Sequence, residues 1–242
     1  MKKMKSLYQC HRFPAIVIRC AVRWYFRFSL SLRDIEELLL ECGAVVTYET
    51  IRRWCDKFGA EFAQCAKAVR RKPGSTWHLD EMFVTLHGEP YLLWRAVDEH
   101  AAELDVLVQK RREGRSKALF RRVLRSNPVP RKIIADQLRS YPAAKADISE
   151  LAQLKHVFVK AVARVNNRAE NSHQPTRRRE RQMCGFRDAR RTQAFLSCFG
   201  PILQHFALPR HQMNAAGHRV ILKERLGTWH SWTVFAAIEK VN

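Results

Sequence analysis

The chain has 242 residues, 46% of them apolar, enough for one large domain or two small ones with a true core, which excludes a largely disordered polypeptide. Lysine and arginine number 44 against 23 acidic residues, a formal charge of +21 that is far beyond what solubility requires. Such an excess implies a polyanionic partner, most often nucleic acid, because each basic group that neutralises a phosphate releases a condensed counterion.

The seven cysteines form no CxxC pair, which argues against a zinc ribbon or finger and fits reduced cytosolic thiols. At the basic N-terminus the apolar residues are interrupted by Arg19, Arg23 and Arg27, so no signal-peptide core is present. The longest uncharged run, residues 192–209, contains Gln193, Gly200, Pro201, Gln204 and His205 and makes a poor membrane span. The expectation is a soluble, cytoplasmic protein with no membrane partner.

Phe13, Ile16, Val17, Cys20, Ala21, Trp24, Tyr25 and Phe28 recur at the three-and-four spacing of one helix face, leaving Arg19, Arg23 and Arg27 as a basic stripe on the other. A second helix opens at Ser31, where Ser31-Leu32-Arg33-Asp34 approximates a capping box, and its apolar face is Leu32, Ile35, Leu38 and Leu39. Gly43 ends it, and Thr47 caps a third helix that buries Tyr48, Ile51, Trp54, Cys55 and Phe58 and closes at Gly59. The outward face of this third helix carries Arg52, Arg53 and Lys57. That pattern predicts a helix-turn-helix whose last helix enters the major groove, with Thr47 and Thr50 placed to meet phosphate. Phe62, Ala66 and Val69 extend the bundle, and the basic, breaker-rich stretch of residues 70–76 marks a domain boundary.

From Trp77 the periodicity changes to short apolar runs bounded by turn residues. Residues 77–86 and 91–97 read as a hairpin turning at residues 87–90, residues 104–108 as a third strand, residues 115–126 as a helix, residues 132–135 as a fourth strand that delivers Asp136 at its carboxyl end, and residues 156–159 as a fifth. This order is that of a ribonuclease-H-like α/β fold. Alternation sets Leu79 and Glu81 on the face opposite Asp80, while His78 shares its face as a packed strand histidine. Residues 166–183 are polar and poorly patterned but have the acids and amides of a helix start, with Glu170 lying 34 positions after Asp136. Seven arginines and two acids follow between Pro175 and Arg191, a density suited to phosphates. Two strand aspartates and a helix glutamate can converge on paired magnesium ions, whose hard charge prefers oxygen ligands.

The run Trp77-His78-Leu79-Asp80-Glu81, the segment Asp136-Gln137-Leu138-Arg139-Ser140-Tyr141, and above all Asn166-Asn167-Arg168-Ala169-Glu170-Asn171-Ser172-His173-Gln174-Pro175-Thr176-Arg177 resemble the DDE transposases of bacterial insertion sequences, most closely insertion sequence family six. Ala21-Val22-Arg23-Trp24-Tyr25, Ser31-Leu32-Arg33-Asp34-Ile35-Glu36-Glu37 and Thr50-Ile51-Arg52-Arg53-Trp54 resemble the same family's helix-turn-helix. The resemblance spans roughly residues 10–200. It implies that Asp80, Asp136 and Glu170 are the catalytic, metal-binding triad for two Mg2+ ions, with Mn2+ able to substitute, Asp80 bridging both ions and the other two each holding one. It also implies that Arg177 contacts DNA near the cut; its neighbours Arg178, Arg179 and Arg181 are expected to do the same. Ala135 departs from the hydroxyl residue usual before the second aspartate, and the tail from about Gly200 matches weakly. The implied architecture is a helix-turn-helix domain over residues 1–72, a ribonuclease-H-like catalytic domain over residues 73–200 and a C-terminal tail over residues 201–242. The implied activity is binding of the element's terminal inverted repeats followed by metal-dependent strand cleavage and transfer, on double-stranded DNA and as a homo-oligomer. A DNA-binding protein derived from a decayed transposase and a cellular nuclease of the same fold are the alternatives.

Overall fold

The computed structural model describes residues 7–110, 116–135, 147–152, 155–158, 167–208 and 212–235, and for residues 152, 155–158, 167–170 and 234–235 the backbone alone. In chain order the elements are α1 (Ala15–Arg27), α2 (Leu32–Glu41), α3 (Tyr48–Ala68), β1 (Thr76–Leu86), β2 (Glu89–Asp98), β3 (Glu103–Lys110), α4 (Ser116–Ser126), β4 (Lys132–Ala135), α5 (Ser149–Ala152), β5 (Lys155–Phe158), α6 (Asn167–Gln182), α7 (Ala189–His205) and α8 (Ala215–Phe235). They form two compact units, Met1–Arg70 with Cys198–Asn242, and Arg71–Ser197.

In the helical unit the caps behave as the sequence predicts. Asp34 N donates to Ser31 Oγ at 3.1 Å and Ser31 N to Asp34 Oδ2 at 2.8 Å, a complete capping box on α2. Thr47 Oγ1 accepts from Thr50 N at the start of α3. Between the two helices Gly43 takes φ +78°, a left-handed conformation that ends α2 at little cost only for glycine. Gly59, however, does not end α3, which runs unbroken to Ala68. It sits inside the helix because a Cβ there would stand 3.2 Å from the Phe26 ring of α1 and 3.5 Å from Cys198 Sγ, so glycine serves close packing rather than termination.

The buried face of α1 also differs from the expected one. Ile18, Ala21, Val22 and Phe26 are buried, whereas Ile16 and Phe28 are exposed. Arg19 is only 7% exposed, and Arg23 and Arg27 lie over the Phe28 ring at 5.6 and 5.9 Å, so the three arginines do not form an open stripe. A neighbour that α1's own periodicity could not reveal, α8, packs against both α1 and α3. Its Trp229 meets Phe62 of α3 edge-on at 5.1 Å and Phe206 at 5.5 Å, and Thr233 is fully buried. The weakly matching tail therefore contributes to this unit's core.

In the second unit the sheet order is β3-β2-β1-β4-β5, with β1–β2 and β2–β3 antiparallel and β1–β4 and β4–β5 parallel. The hairpin closes at His87 (φ 49°) and Gly88 (φ 80°), the two positive φ values of a type I′ turn whose twist suits the strands. The chain then crosses through α4 to enter β4 parallel to β1. This is the ribonuclease-H-like mixed-sheet order, and the fold class is α/β with an N-terminal helical bundle. One sheet face carries Trp77, Leu79, Trp94, Ala96, Ile133 and Ala135 into a core with Leu119, Phe120 and Val123 of α4. The other face carries His78, Asp80 and Arg95 and is covered by α6, which packs on β1 and β2. At the exposed sheet edge, Gln193 of α7 accepts from Val108 N at 2.8 Å and donates to Val106 O at 3.0 Å, so its amide stands in for a neighbouring strand.

Candidate active site

Asp80 lies mid-way along β1, and the hairpin register sets it directly across from Arg95 of β2. Cross-strand partners share a face, so both side chains point toward α6. Asp80 keeps 15% side-chain exposure, enough to be reached from solvent. The strand β4 beside it is described through Ala135; Asp136, the next residue, lies outside the described residues. Glu170 belongs to the first turn of α6, and its side chain is likewise outside the described set. Among the described residues no three acidic, histidine or cysteine side chains come together.

The helix that carries Glu170 buries a polar face. His173, Thr176 and Arg179 recur every three residues against the sheet unit's interior, while Arg177, Arg178 and Arg181 are exposed. Arg95, 5% exposed, holds that face: one guanidinium nitrogen donates to Ser172 O and Nη2 donates to Thr176 Oγ1 at 2.6 Å. Its Nε lies 3.5 Å from Glu103 Oε2 of β3, and Glu103 is itself 3% exposed. Burial lowers the guanidinium's pKa from its ordinary value, and Glu103 and then Asp80 pull it back up. Pro175 lies inside α6 and removes the N–H that would bond the carbonyl of Asn171, which loosens the turn next to the Ser172 carbonyl that Arg95 takes.

His173 Nε2 stands 3.5 Å from Asp80 Oδ2. This is not a charged pair. Burial, then the charges of Arg95 and Arg177, push the imidazole down to about 3, with the backbone of Asp80 acting weakly the other way. His173 is therefore neutral at physiological pH.

Of the residues expected to meet DNA, Thr47, Arg52, Arg53 and Lys57 are exposed and Thr50 is half-buried. Arg52 is held by Glu49 at 3.0 Å in an exposed pair of small energetic weight, and Lys57 Nζ lies 2.9 Å from His11 Nε2. Arg179 departs from expectation. It is 2% exposed and its guanidinium lies over the Phe195 ring of α7 at 5.8 Å, so it is an interior residue here rather than a phosphate contact. Every-third spacing on a helix placed it with His173 and Thr176, which a count of arginines conceals. His78, 3% exposed, is the packed strand histidine expected. Sequence reasoning missed Arg95, Glu103 and Thr176. The available signal was one charge in the apolar run Leu92-Leu93-Trp94-Arg95-Ala96-Val97, opposite Asp80 once a two-residue turn is assumed.

Residues 74–207 match the DDE domain family of IS240-type transposases. The transposase for insertion sequence-like element IS431mec of Staphylococcus aureus (strain Mu50) is 29% identical over 194 residues, covering 80% of this chain and 87% of that protein. The transposase for insertion sequence element IS257 in transposon Tn4003 of Staphylococcus aureus has the same identity and coverage. A solved structure, the HTLV-2 integrase catalytic core domain in complex with magnesium (trimeric form), is 17% identical over 60% of this chain and 93% of that chain, with a TM-score of 0.34. With over half of its length matched to that domain family, nearly all of the sheet unit included, the chain belongs to the DDE transposases.

Proposed function

We propose that this transposase binds the terminal inverted repeats of its insertion sequence and cuts and rejoins DNA strands there, with Asp80, Asp136 and Glu170 as the catalytic triad. The observation that carries this reading is the docking of α6, bearing Glu170, onto the sheet face where Asp80 stands, with His173 against the Asp80 carboxylate. The donor chemistry fits divalent magnesium or manganese: Asp80 offers hard oxygens at a partly solvent-open position, and its histidine neighbour is uncharged and does not neutralise it. Asp80, Asp136 and Glu170 are the residues that would hold these ions. Bound there, such ions would supply Lewis-acid stabilisation of charge on the attacked phosphate and activate water or a DNA 3′-hydroxyl.

The chain's own residues do the rest. Arg177, Arg178 and Arg181 lie on the solvent face of α6 and are suited to hold phosphates near the cut. Thr47, Thr50, Arg52, Arg53 and Lys57, on the start and outer face of α3, are suited to reading the element's ends in the major groove. Among the described residues no helix is long and apolar enough to cross a membrane, in keeping with action on chromosomal DNA in the cytoplasm. Pairing two ends requires at least two copies of the chain on DNA. The burial of Phe206, Trp229 and Thr233 makes the weakly matching tail part of the helical core, and no observation favours the binding-only reading.

The test is a supercoiled plasmid carrying both element ends, incubated with protein and Mg2+. Wild type is expected to nick and join, and Glu170→Gln to bind the ends without doing either. Joining by Glu170→Gln at the wild-type rate would refute the assignment.

A further inference from the structure

Arg95 is the one buried cation, among the described residues, that reaches from the strand beside Asp80 to the helix that carries Glu170. Its surroundings are costly. A guanidinium at 5% exposure needs compensation, which Glu103 at 3.5 Å supplies first and Asp80, across the strand pair, second. An apolar side chain would fill the same place in the strand between Trp94 and Ala96 without that cost. What the guanidinium adds is direction. Its planar fork reaches away from Glu103 to two acceptors one helical turn apart on α6, Ser172 O and Thr176 Oγ1. The polar face of α6 offers few apolar side chains to hold the helix by packing, since its buried positions among the described side chains are His173, Thr176 and Arg179. Position along the helix axis is therefore left to directed hydrogen bonds.

We propose that Arg95, braced by Glu103, is a positioning residue of the catalytic centre: by gripping Ser172 and Thr176 it sets the axial and rotational place of α6, and hence the placing of Glu170 relative to Asp80. This rests on the reading of Asp80 and Glu170 as metal ligands. Ser172 lies two residues after Glu170, so slippage at the grip is passed on to the glutamate within one turn. Glu103 acts at one further remove, by neutralising Arg95 and turning its fork toward the helix.

Removing Arg95 alone would strand Glu103 in the interior and confuse misplacement with unfolding. The informative variants are Arg95→Met/Glu103→Leu, which removes both charges together, and Arg95→Lys, which keeps the pair with Glu103 but lacks the fork. Four quantities are read on the full chain: thermal midpoint, amide hydrogen exchange in α6, Mn2+ affinity by titration of the metal alone, and strand transfer on pre-cleaved ends. The expected result is a midpoint close to wild type with faster exchange at the start of α6, Mn2+ affinity about ten- to a hundredfold lower, and transfer reduced in step and partly rescued by excess Mn2+. A folded double variant or Arg95→Lys protein with wild-type α6 protection and wild-type Mn2+ affinity would overturn the proposal, as would recovery of transfer by restored stability alone. If wild type itself neither binds Mn2+ nor transfers strands, the metal-site reading fails, while the exchange comparison still decides whether Arg95 grips α6.

Discussion

Replacing Trp229 by alanine tests whether the C-terminal helix is part of the helical core. The indole is 3% exposed, lies edge-on to Phe62 at 5.1 Å and tilted to Phe206 at 5.5 Å, and its N–H has no hydrogen-bond partner among the described residues, so its whole contribution is packing. Truncating a buried tryptophan costs about 3–5 kcal/mol, from the lost transfer free energy and the cavity left behind. The two aromatic pairs account for roughly 0.5–1.5 kcal/mol each of that penalty. With total stability on the order of 5–15 kcal/mol, such a loss is large. In urea, with a slope of about 2 kcal/mol/M, the unfolding midpoint followed by far-ultraviolet circular dichroism should fall by about 2 M. Hydrogen exchange should quicken in α1 and α3. Trp229→Phe keeps a ring against Phe62 and should cost only about 1–2 kcal/mol. A midpoint for Trp229→Ala within roughly 0.3 M of wild type would show that α8 does not hold the unit together.

Other expectations follow from burial and charge. His205 donates Nε2–H to Arg225 O at 3.0 Å, and burial lowers its pKa below 6.5. Its stabilising effect is therefore full above the unfolded value and is lost as pH falls below it, so chemical-denaturation stability should drop more between pH 7.5 and 5 in wild type than in His205→Gln. Alanine at Arg177, Arg178 or Arg181 should each flatten the salt dependence of DNA binding by about 0.9 for every phosphate no longer neutralised, measured between 50 and 200 mM salt. Arg179→Ala should instead lower the unfolding midpoint, and a change of salt slope at unaltered stability would contradict its interior placement. Burial lifts the Cys198 thiol to about 11, so under native conditions iodoacetamide at pH 8 should label the exposed Cys10, Cys42 and Cys184 well before Cys198.

Local signals were legible where a residue's role depends on its chain neighbours. The capping box at Ser31 and Asp34, the Thr47 cap, the hairpin turn and the short buried strand over residues 132–135 all depend on short-range chemistry. Features set by distant partners were not. The burial of Arg19 and the exposure of Ile16 follow from helices supplied elsewhere, and α8, with glycines at 217 and 227 and buried Trp229 and Thr233, shows no clean apolar stripe. Gly59 looked like a stop because its spatial neighbour, the Phe26 ring, is 33 positions away in sequence. In the candidate site, Asp80 was found from its place in a strand, whereas Arg95 and Thr176 matter only once α6 lies over β2. The buried face of α6 is polar, so no hydrophobic periodicity announced which of its arginines turn inward.

The central claim, that three carboxylates on β1, after β4 and on α6 act as one metal-dependent site, is tested most directly by strand transfer from pre-cleaved element ends in Mg2+, comparing wild type with Asp80→Asn, Asp136→Asn and Glu170→Gln at matched end occupancy. Each single substitution should abolish transfer while end binding persists, because removing any one ligand disables the whole site. Transfer at the wild-type rate by any one of the three, with the protein bound and folded, would contradict the account.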